Sequence, residues 1–427
     1  MQIFNFKDSK FREFLLHANS FDDKVFNAVR DIIMQVEDNG DDSLIELCNK
    51  FDGCNFSQSK DLLVSEGEFM VAERELSAEL KRAIENSYQR VKSYHQKQLP
   101  RDFRYQDEIG VELGNLWRAI SRVGVYVPGG TATYPSSVIM SAVPAIVAGV
   151  KNIAIFSPST SGRVDPAVLY AAKICGIAEI YKVGGAQAVA AMALGTQSIA
   201  RVDTVVGPGN SYVAMAKKIL YGSVGIDMIA GPTDLTIVCD KASVPADYVA
   251  CDALSQLEHG ADSRVFVVTD SVDFAEEVIV AIDKFAAQLS RKDIISKSKL
   301  NSAAVVVEDI SESYQVVNAI APEHLEIICQ GEEEVANKVK NAGAIFLGKY
   351  TPEPIGDYMA GPSHTLPTSG NARFSSGLSV FDFLKRISLI KCNRESFEEL
   401  ADDTEILSQS EGFTAHSLSV EIRRGGL

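Results

Sequence analysis

The spacing of apolar residues divides the chain into three regions. Up to about residue 120, apolar residues recur at helical spacing among charged ones, as in "KVFNAVRDIIMQVEDNG" and "AELKRAIENSYQRVKSYH", which predicts amphipathic helices. From Arg122 onward, short runs rich in β-branched residues alternate with Ala-rich stretches, and from about residue 381 the pattern is helical and charged again. The alternation in the middle region is typical of a parallel sheet wrapped by helices.

The β-branched runs of the middle region form two series. The first comprises "RVGVYVPGG", "KNIAIFSP", "AEIYKVGG", "VDTVVGPGN" and "IDMIAGPTD", and the second includes "DLTIVCD", "SRVFVVTD", "SAAVVVED" and "AGAIFLG". Glycine-rich turns follow the first series, at the carboxyl edge where open α/β sheets bind ligands. These turns are consistent with two interpretations. They bind a nucleotide or phosphate ligand, or they are simply tight connections between strands and helices. The dinucleotide fingerprint G-x-G-x-x-G is missing, because "GPGNSY" lacks the last glycine.

The composition of the chain argues against nucleic acid and membranes as partners and against secretion. The 427 residues include 41 basic and 57 acidic ones, a formal net charge of −16, and no dense basic run, so we expect neither nucleic acid nor an anionic membrane as a partner. The N-terminal "MQIFNFKDSKFREF" lacks the apolar core of a secretory signal, and prolines interrupt the longest uncharged run, 123–150, so no spanning helix is expected. Seven cysteines without a C-x-x-C pair favour reduced thiols. These features together predict a cytoplasmic protein.

Candidate chemistry gathers around four of the six histidines, each of which stands near an acidic residue. In "SQLEHG", Gln256 and His259 are three residues apart near the end of a helix predicted from about Pro245 to His259, so both can converge on one point. Imidazole combined with carboxylate or carbonyl oxygen suits zinc most readily among the common metals. Because a glutamine ligand is unusual, Glu258 is an equal candidate on chemistry alone.

Three further motifs pair a histidine with an acid. In "PEHLE", Glu323 and His324 can act as acid and base if both reach a cleft from a turn, although the first turn of a helix that begins at the proline is slightly favoured. The proline-rich "TPEPIGDYMAGPSHTLPT" presents Asp357 and His364, which is typical of a functional loop or of a structural crossover. The last motif is "EGFTAHS" near the C-terminus.

A series of motifs in fixed order supports a family resemblance. The motifs are "GVYVPGGTATYPSSVIM", "VGGAQAVAAMALGT", "VDTVVGPGN", "IDMIAGPTD", "SQLEHG", "APEHLE", "NAGAIFLG", "GDYMAGPSHTLPT" and "EGFTAH". The chain thereby resembles histidinol dehydrogenase nearly end to end, the enzyme family that oxidises L-histidinol through an aldehyde to L-histidine with two NAD⁺. One departure is Thr233, where the family commonly has serine after "GP". The hydroxyl is retained, so the departure affects fine positioning only.

The resemblance implies a role for each motif residue. The ligands of one Zn²⁺ per subunit correspond to Gln256, His259, Asp357 and His416. The catalytic pair corresponds to Glu323 and His324, and the NAD contacts correspond to Tyr126, Gln187 and Asn210. The substrate positions correspond to Thr233, Gln256, His259, His324, Asp357, His364, Glu411 and His416. Because the C-terminal segment crosses to the neighbouring subunit in the family, a homodimer with shared active sites is implied, in which Glu411 and His416 complete the partner's site.

The resemblance also implies an α/β fold with two incomplete Rossmann-like domains, parallel-rich sheets, and small helical N- and C-terminal segments. Residues 1–20 would form the N-terminal helical segment. Residues 21–122 and 233–380 would form a first α/β domain with the metal and catalytic motifs, and residues 123–232 a second with the NAD contacts. Residues 381–427 would form a helical tail that crosses to the partner subunit.

The implied chemistry is two successive oxidations at one carbon. Zinc would hold the imidazole and amino nitrogens of the substrate without exchanging electrons. His324 would take the hydroxyl proton as the hydride leaves, Glu323 would activate water to attack the aldehyde, and His324 would accept a proton again. Two alternatives stay open on the residues alone. A zinc-dependent hydrolase with Glu323 as its base would not need the glycine-rich edge, and a two-domain small-molecule binding protein would leave the histidine motifs without a role.

Overall fold

The computed structural model describes residues 1–16, 23–129 and 133–425. Residues 130–132 of "GVYVPGGTATYPSSVIM", and the ends of the predicted segments 1–20 and 381–427, lie outside the described residues. The chain forms two compact units. The first comprises Met1–Gln98 and Ser121–Phe383, and the second comprises Leu99–Ile120 and the chain from Leu384 onward.

The strands are β1 (Gln2–Asn5), β2 (Phe103–Gln106), β3 (Glu112–Ala119), β4 (Arg122–Tyr126), β5 (Asn152–Phe156), β6 (Ile180–Tyr181), β7 (Thr204–Val206), β8 (Gly225–Ile226), β9 (Asp234–Cys239), β10 (Arg264–Thr269), β11 (Ala303–Val306), β12 (His324–Ile328), β13 (Ala344–Leu347) and β14 (Leu384–Lys391). The helices are α1 (Ser9–Leu16), α2 (Asp23–Asn39), α3 (Asp41–Phe51), α4 (Glu66–Glu75), α5 (Ala78–Gln96), α6 (Pro135–Ala148), α7 (Pro166–Ile174), α8 (Gly185–Leu194), α9 (Ser211–Leu220), α10 (Ala246–Leu257), α11 (Val272–Ala286), α12 (Lys292–Ser298), α13 (Ser313–Ile320), α14 (Glu332–Lys338), α15 (Glu353–Ile355), α16 (Arg394–Ser410) and α17 (Thr414–Arg424). A π-helical turn, Gly356–Ala360, directly follows α15.

A six-stranded parallel sheet in the first unit has the order β1-β11-β10-β9-β12-β13. Its inner strands β9 and β12 are buried at every position, as expected where helices cover both faces of a sheet. One hydrophobic core lies under α10 and α11 and includes Leu254 and Phe274. The other includes Phe11 of α1 and Val316 of α13. Packing on both faces therefore fixes the two strands that carry "PTD" and "PEHLE".

A second parallel sheet in the same unit has five strands in the order β6-β5-β4-β7-β8. Helix α8 lies close over its central strand, since a Cβ at Gly124 would stand 2.3 Å from the Met192 sulfur. Helix α2 shares a core with α8 and α9 through Val29 and Ile33. This helix belongs to the range 21–122, which the sequence analysis grouped with the other sheet.

The second unit is built from an antiparallel sheet and two helices. Its strand order is β14-β3-β2, and β14 pairs with β3 over the whole length of both strands. Helices α16 and α17 pack against each other. Arg424 of α17 joins them by ion pairs to three acids of α16, which are Glu398, Asp402 and Glu405.

The predicted α/β class with parallel sheets is confirmed, while local expectations at both ends of the chain are wrong. The range up to residue 120 contains β1, β2 and β3 besides helices, and the C-terminal range begins with β14. These strands lie at a sheet edge or in the small sheet. β1, β2 and β14 are largely exposed and β3 is half-buried, so they lack the apolar runs that mark buried strands. In the described ranges, no helix has the length and apolar character needed to cross a membrane.

One glycine beside β12 is expected to be intolerant of a side chain. A Cβ at Gly343 would stand 2.5 Å from the carbonyl oxygen of Glu323, so the backbone of one strand would have to move. We expect Gly343→Ala to lower the free energy of unfolding in urea by about 1–3 kcal/mol, because overpacking forces such shifts. Gly67→Ala is the control, since Gly67 lies in α4 with its nearest neighbour atom 3.9 Å away. Equal stabilities of the two variants would contradict this packing argument.

Candidate active site

Two predicted site motifs meet where β9 and β12 begin. The strands are parallel neighbours, and Leu235 is in register with His324. The Glu323 N–H donates to Asp234 Oδ1 at 2.9 Å, and His324 Nδ1 lies 3.3 Å from the Asp234 carbonyl oxygen. The slightly favoured helix start at "PEHLE" is therefore wrong, because His324 opens a buried strand. The cluster lies at the amino edge of the six-stranded sheet.

A hydroxyl group links three predicted site residues. Thr233 Oγ1 donates to Glu323 Oε2 at 2.5 Å and accepts from Gln256 Nε2 at 2.9 Å. Because the amide nitrogen of Gln256 points to Thr233, its Oε1 atom faces elsewhere. That oxygen is fully buried and has no hydrogen-bond partner among the described residues. A buried acceptor without a partner is costly unless a ligand satisfies it.

His324 is the centre of a buried group of acids. Its Nε2 atom lies 3.7 Å from Asp357 Oδ1 and 3.9 Å from Glu353 Oε1, and its Nδ1 atom lies 3.9 Å from Glu323 Oε2. All four side chains are buried or nearly so. In a medium of low dielectric constant, such neighbours change one another's ionisation strongly.

The pKa values in this group reflect burial and the surrounding charges. Burial raises the pKa of Glu323 to about 8. Burial lowers the pKa of His324, but Glu323, Asp357 and Glu353 outweigh that effect and raise it to about 10. Burial would raise the pKa of Asp357, but its contact with His324 and the nearby imidazoles holds it at about 2. Asp357 is thus ionised and His324 protonated, so the two side chains form an ion pair.

Three side chains converge in a manner that can hold a metal ion. His259, Glu353 and Asp357 each offer one ligand atom, and these atoms lie within 4.8 Å of one another. His259 stands in the turn after α10, which ends at Leu257, so the helix is shorter than predicted. The alternative ligand Glu258 is not in this group of the described residues. Imidazole and carboxylate ligands together with the free amide oxygen of Gln256 suit a borderline divalent ion such as zinc.

Helix α5 holds the π-helical turn that carries Asp357. Ser87 Oγ donates to the Tyr358 carbonyl oxygen at 2.7 Å, and the Arg90 guanidinium donates to the carbonyl oxygens of Met359 and Ala360. His364 Nδ1 lies 3.1 Å from the Asp357 carbonyl oxygen. Single π-helical turns often occur at functional sites, and these bonds explain how a proline-rich loop presents a carboxylate rigidly.

The site contains acids that the sequence analysis missed. Ser255 Oγ donates to Glu353 Oε2 at 3.0 Å, and the Glu353 N–H donates to Glu326 Oε1 at 2.7 Å. Glu326 was detectable as a lone acid within the apolar strand "HLEII", since a buried charge needs a partner. Glu353 lies between two prolines and not within an apolar run, so its sequence does not indicate that it is buried.

The predicted NAD contacts share the carboxyl edge of the five-stranded sheet. Tyr126 ends β4, and its hydroxyl accepts from the Gly185 N–H at 3.1 Å. Gln187 lies in the first turn of α8. Asn210 is the N-cap of α9 and accepts from two backbone N–H groups of the first turn. Two helix N-termini therefore point to this edge, where they favour an anion.

Glu411 and His416 belong to the second unit. Glu411 is the C-cap of α16, and His416 lies in the first turn of α17. Both side chains are exposed, and the ring of His416 lies 5.1 Å from that of Phe413. The structure thus brings Thr233, Gln256, His259, Glu323, His324, Asp357 and His364 together in the first unit.

The parallel sheets and the buried imidazole and carboxyl groups define an α/β enzyme whose site can hold a divalent metal. The family model described as Histidinol dehydrogenase matches residues 16–424. The chain is 46% identical to histidinol dehydrogenase 1 of Trichormus variabilis over 94% of this chain and 93% of that protein. It is 45% identical to histidinol dehydrogenase of Agrobacterium fabrum over 97% of this chain and 96% of that protein. The crystal structure of histidinol dehydrogenase from Elizabethkingia anophelis matches with a TM-score of 0.95 at 34% identity, covering 100% of this chain and 98% of that one.

The chain belongs to the histidinol dehydrogenase family, the NAD-dependent oxidoreductases that convert histidinol to histidine in histidine biosynthesis. The resemblance stated from the motifs is confirmed. The family excludes the hydrolase and binding-protein alternatives, and it implies NAD and zinc as cofactors.

The Thr233 hydroxyl is expected to be essential to the arrangement of the site. Thr233→Val keeps the shape of the side chain but leaves Glu323 and Gln256 without their shared partner. We expect turnover of L-histidinol, measured as NADH formation, to fall by at least roughly 10-fold. Thr233→Ser is the matched control and should keep most of the activity, because the hydroxyl remains. A Val variant as active as the Ser variant would show that this bond has no part in catalysis.

Proposed function

We propose that the amino-edge cluster is a zinc-dependent reaction centre in which each subunit binds one Zn²⁺. Its ligands would be Gln256, His259 and Asp357, joined by the partner subunit's His416. The observation that carries the proposal is the buried Oε1 atom of Gln256, which lacks a hydrogen-bond partner in the described chain. The carboxylate of Asp357 and the imidazole of His259 lie close together, and both are usual zinc ligands. We assign Glu353 to the surroundings of the metal and not to its ligands, because Ser255 already binds the Glu353 Oε2 atom.

Zinc bound there would supply a positive charge that orients the substrate without undergoing redox chemistry itself. Glu323 and Asp357 both raise the pKa of His324, so this imidazole would act as a base only when part of that negative charge is drawn off by a ligand. His324 can then remove the hydroxyl proton as the hydride leaves the carbon, which gives the aldehyde. Burial keeps this imidazole away from bulk water, which protects the aldehyde between the two oxidations.

Glu323 would serve as the base of the second oxidation. Burial raises its pKa to about 8, so the carboxyl group can both give up and accept a proton near neutral pH. The Thr233 hydroxyl and the Asp234 N–H, at 2.5 and 3.3 Å, both bind Glu323 Oε2. These bonds fix one oxygen and leave the other to activate water. His324 would accept the second proton as the second hydride departs.

The proposed contacts with NAD lie at the five-stranded sheet, and the proposed contacts with the substrate lie at the six-stranded sheet. Tyr126, Gln187 and Asn210 would contact NAD, because they share the edge with helix N-termini that suit a pyrophosphate. L-Histidinol would contact the cluster residues Thr233, Gln256, His259, His324, Asp357 and His364, together with the partner subunit's Glu411 and the partner subunit's His416. Residues 123–232 would thus serve as the NAD domain, and residues 233–380 would carry the metal and catalytic motifs.

A homodimer with shared active sites fits the surface of the second unit. Large apolar side chains of α16 and α17 stay exposed, among them Ile406, Leu407, Leu418 and Ile422 at 52–63%. Leu418 and Ile422 are one turn apart, so they form a stripe on α17. Contiguous exposed apolar residues mark interaction surfaces, and a second copy of this chain would cover them. All seven cysteines are free thiols, which supports a reducing compartment such as the cytoplasm.

The zinc assignment is tested by metal content. We expect His259→Ala to lose most of its zinc and its NADH formation, whereas the matched variant Glu258→Ala should keep both, because Glu258 is not in the cluster. In the wild-type enzyme, chelation should abolish the two NADH expected per histidinol, and zinc should restore them. Normal zinc content in His259→Ala would contradict the ligand set.

Sharing of the site between subunits is tested with mixed dimers. His324→Ala and His416→Ala should each be nearly inactive as homodimers. A heterodimer of the two, purified with two different tags, has one complete site if His416 acts in the partner, so it should recover about half of the wild-type turnover. If His416 acts within its own subunit, the heterodimer stays inactive, and the shared-site proposal is wrong.

A further inference from the structure

A fully buried ion pair in the five-stranded half of the first unit has no part in the chemistry described so far. Lys217 lies in α9 with its side chain 2% exposed, and Asp227 follows β8 with its side chain 0% exposed. The two charges are 2.6 Å apart, from Nζ to Oδ1. Burying both charges removes them from water at a large desolvation cost, which their mutual attraction only roughly offsets. Stability alone is therefore a weak reason for the pair.

The hydrogen bonds of the pair converge on one glycine. Lys217 Nζ donates to the Gly207 carbonyl oxygen at 2.6 Å, and the Gly207 N–H donates to Asp227 Oδ2 at 2.7 Å. The two charged side chains thus bind both backbone polar groups of the same residue. Asp227 Oδ1 also accepts the Met228 N–H, so the carboxylate is itself fixed.

Gly207 occupies a position where no other residue fits. Its φ angle is +110°, a conformation that L side chains rarely adopt, and a Cβ there would stand 2.1 Å from the carbonyl oxygen of Tyr126. The residue directly follows β7 and opens the turn "GPGN", which ends at Asn210. Gly207 therefore packs the end of β7 directly against the end of β4. The position of this glycine affects two proposed NAD contacts, which are Tyr126 at the end of β4 and Asn210 at the end of the turn.

We propose that Lys217 and Asp227 are positioning residues that hold the turn Gly207–Asn210 in the shape that accepts NAD⁺. The inference rests on the proposed NAD edge. A turn fixed before binding loses no conformational freedom when the dinucleotide arrives, so its affinity is higher. Without the pair, the two backbone groups of Gly207 lose their partners and the turn samples other conformations.

The test compares NAD⁺ binding across variants of the full-length enzyme. Lys217→Met should raise the dissociation constant of NAD⁺, measured by calorimetry, by roughly 10-fold or more. The double variant Lys217→Met with Asp227→Asn removes both charges together, so no unpaired charge is buried and folding is preserved. It should show the same loss of affinity. Zinc content should stay normal in both, because the metal cluster lies at the amino edge of the other sheet.

Arg122→Met is the matched control. Arg122 forms a partly buried ion pair with Glu179 at the opposite edge of the same sheet. Its loss should lower the stability in urea while leaving NAD⁺ affinity unchanged. If Lys217→Met lowers stability to the same extent as Arg122→Met and leaves NAD⁺ affinity unchanged as well, the pair is merely structural and the inference is wrong.

Asn210→Ser separates failure of this inference from failure of the proposed NAD edge. Serine keeps the helix cap but lacks the carboxamide. Weaker NAD⁺ binding in Asn210→Ser combined with normal binding in the Lys217 variants would overturn the role of the ion pair alone. Normal binding in all of them would overturn the NAD edge, and the inference with it.

Discussion

The parallel pairing of β9 with β12 is the constraint on which the site depends. Its register brings the residues just before each strand side by side, so Thr233 and Asp234 meet Glu323 and His324. The side chain of Asp234 then binds the backbone N–H of Glu323, and the Thr233 hydroxyl binds its carboxyl group. A slip of one residue would turn each side chain to the other face of the sheet. The burial of β9 and β12 on both faces makes that slip costly.

The pairing of these two strands brings more acidic than basic side chains together in the buried cluster at the amino edge of the sheet. Asp234, Glu326 and Glu353 all have raised pKa values, with burial as the largest cause. Only Asp357, beside His324, is held strongly ionised. The cluster therefore holds the ion pair between Asp357 and His324 among carboxyl groups whose pKa values are raised. At the proposed metal site, a cation would bind the ionised Asp357 and satisfy the free oxygen of Gln256.

The sequence predicted the α/β class and the family better than the local geometry of the site. The two series of β-branched runs correspond to the two parallel sheets, because buried parallel strands are continuous apolar runs. The strand at "PEHLE" was missed because a buried acid and histidine break that run, and only the contact with β9 makes their burial tolerable. Glu353 and Ser87 were not predicted either. They act through partners distant in the chain, which a single sequence does not reveal.

The two parallel sheets offer opposite electrostatic environments at the edges that carry the proposed sites. At the amino edge of the six-stranded sheet, α10 ends beside His259, and the carbonyl groups of a helix C-terminus favour a positive charge. At the carboxyl edge of the five-stranded sheet, α8 and α9 begin, and their N–H groups favour an anion. A metal ion and a pyrophosphate need opposite fields. One chain with two parallel sheets can supply both, because it uses the amino edge of one sheet and the carboxyl edge of the other.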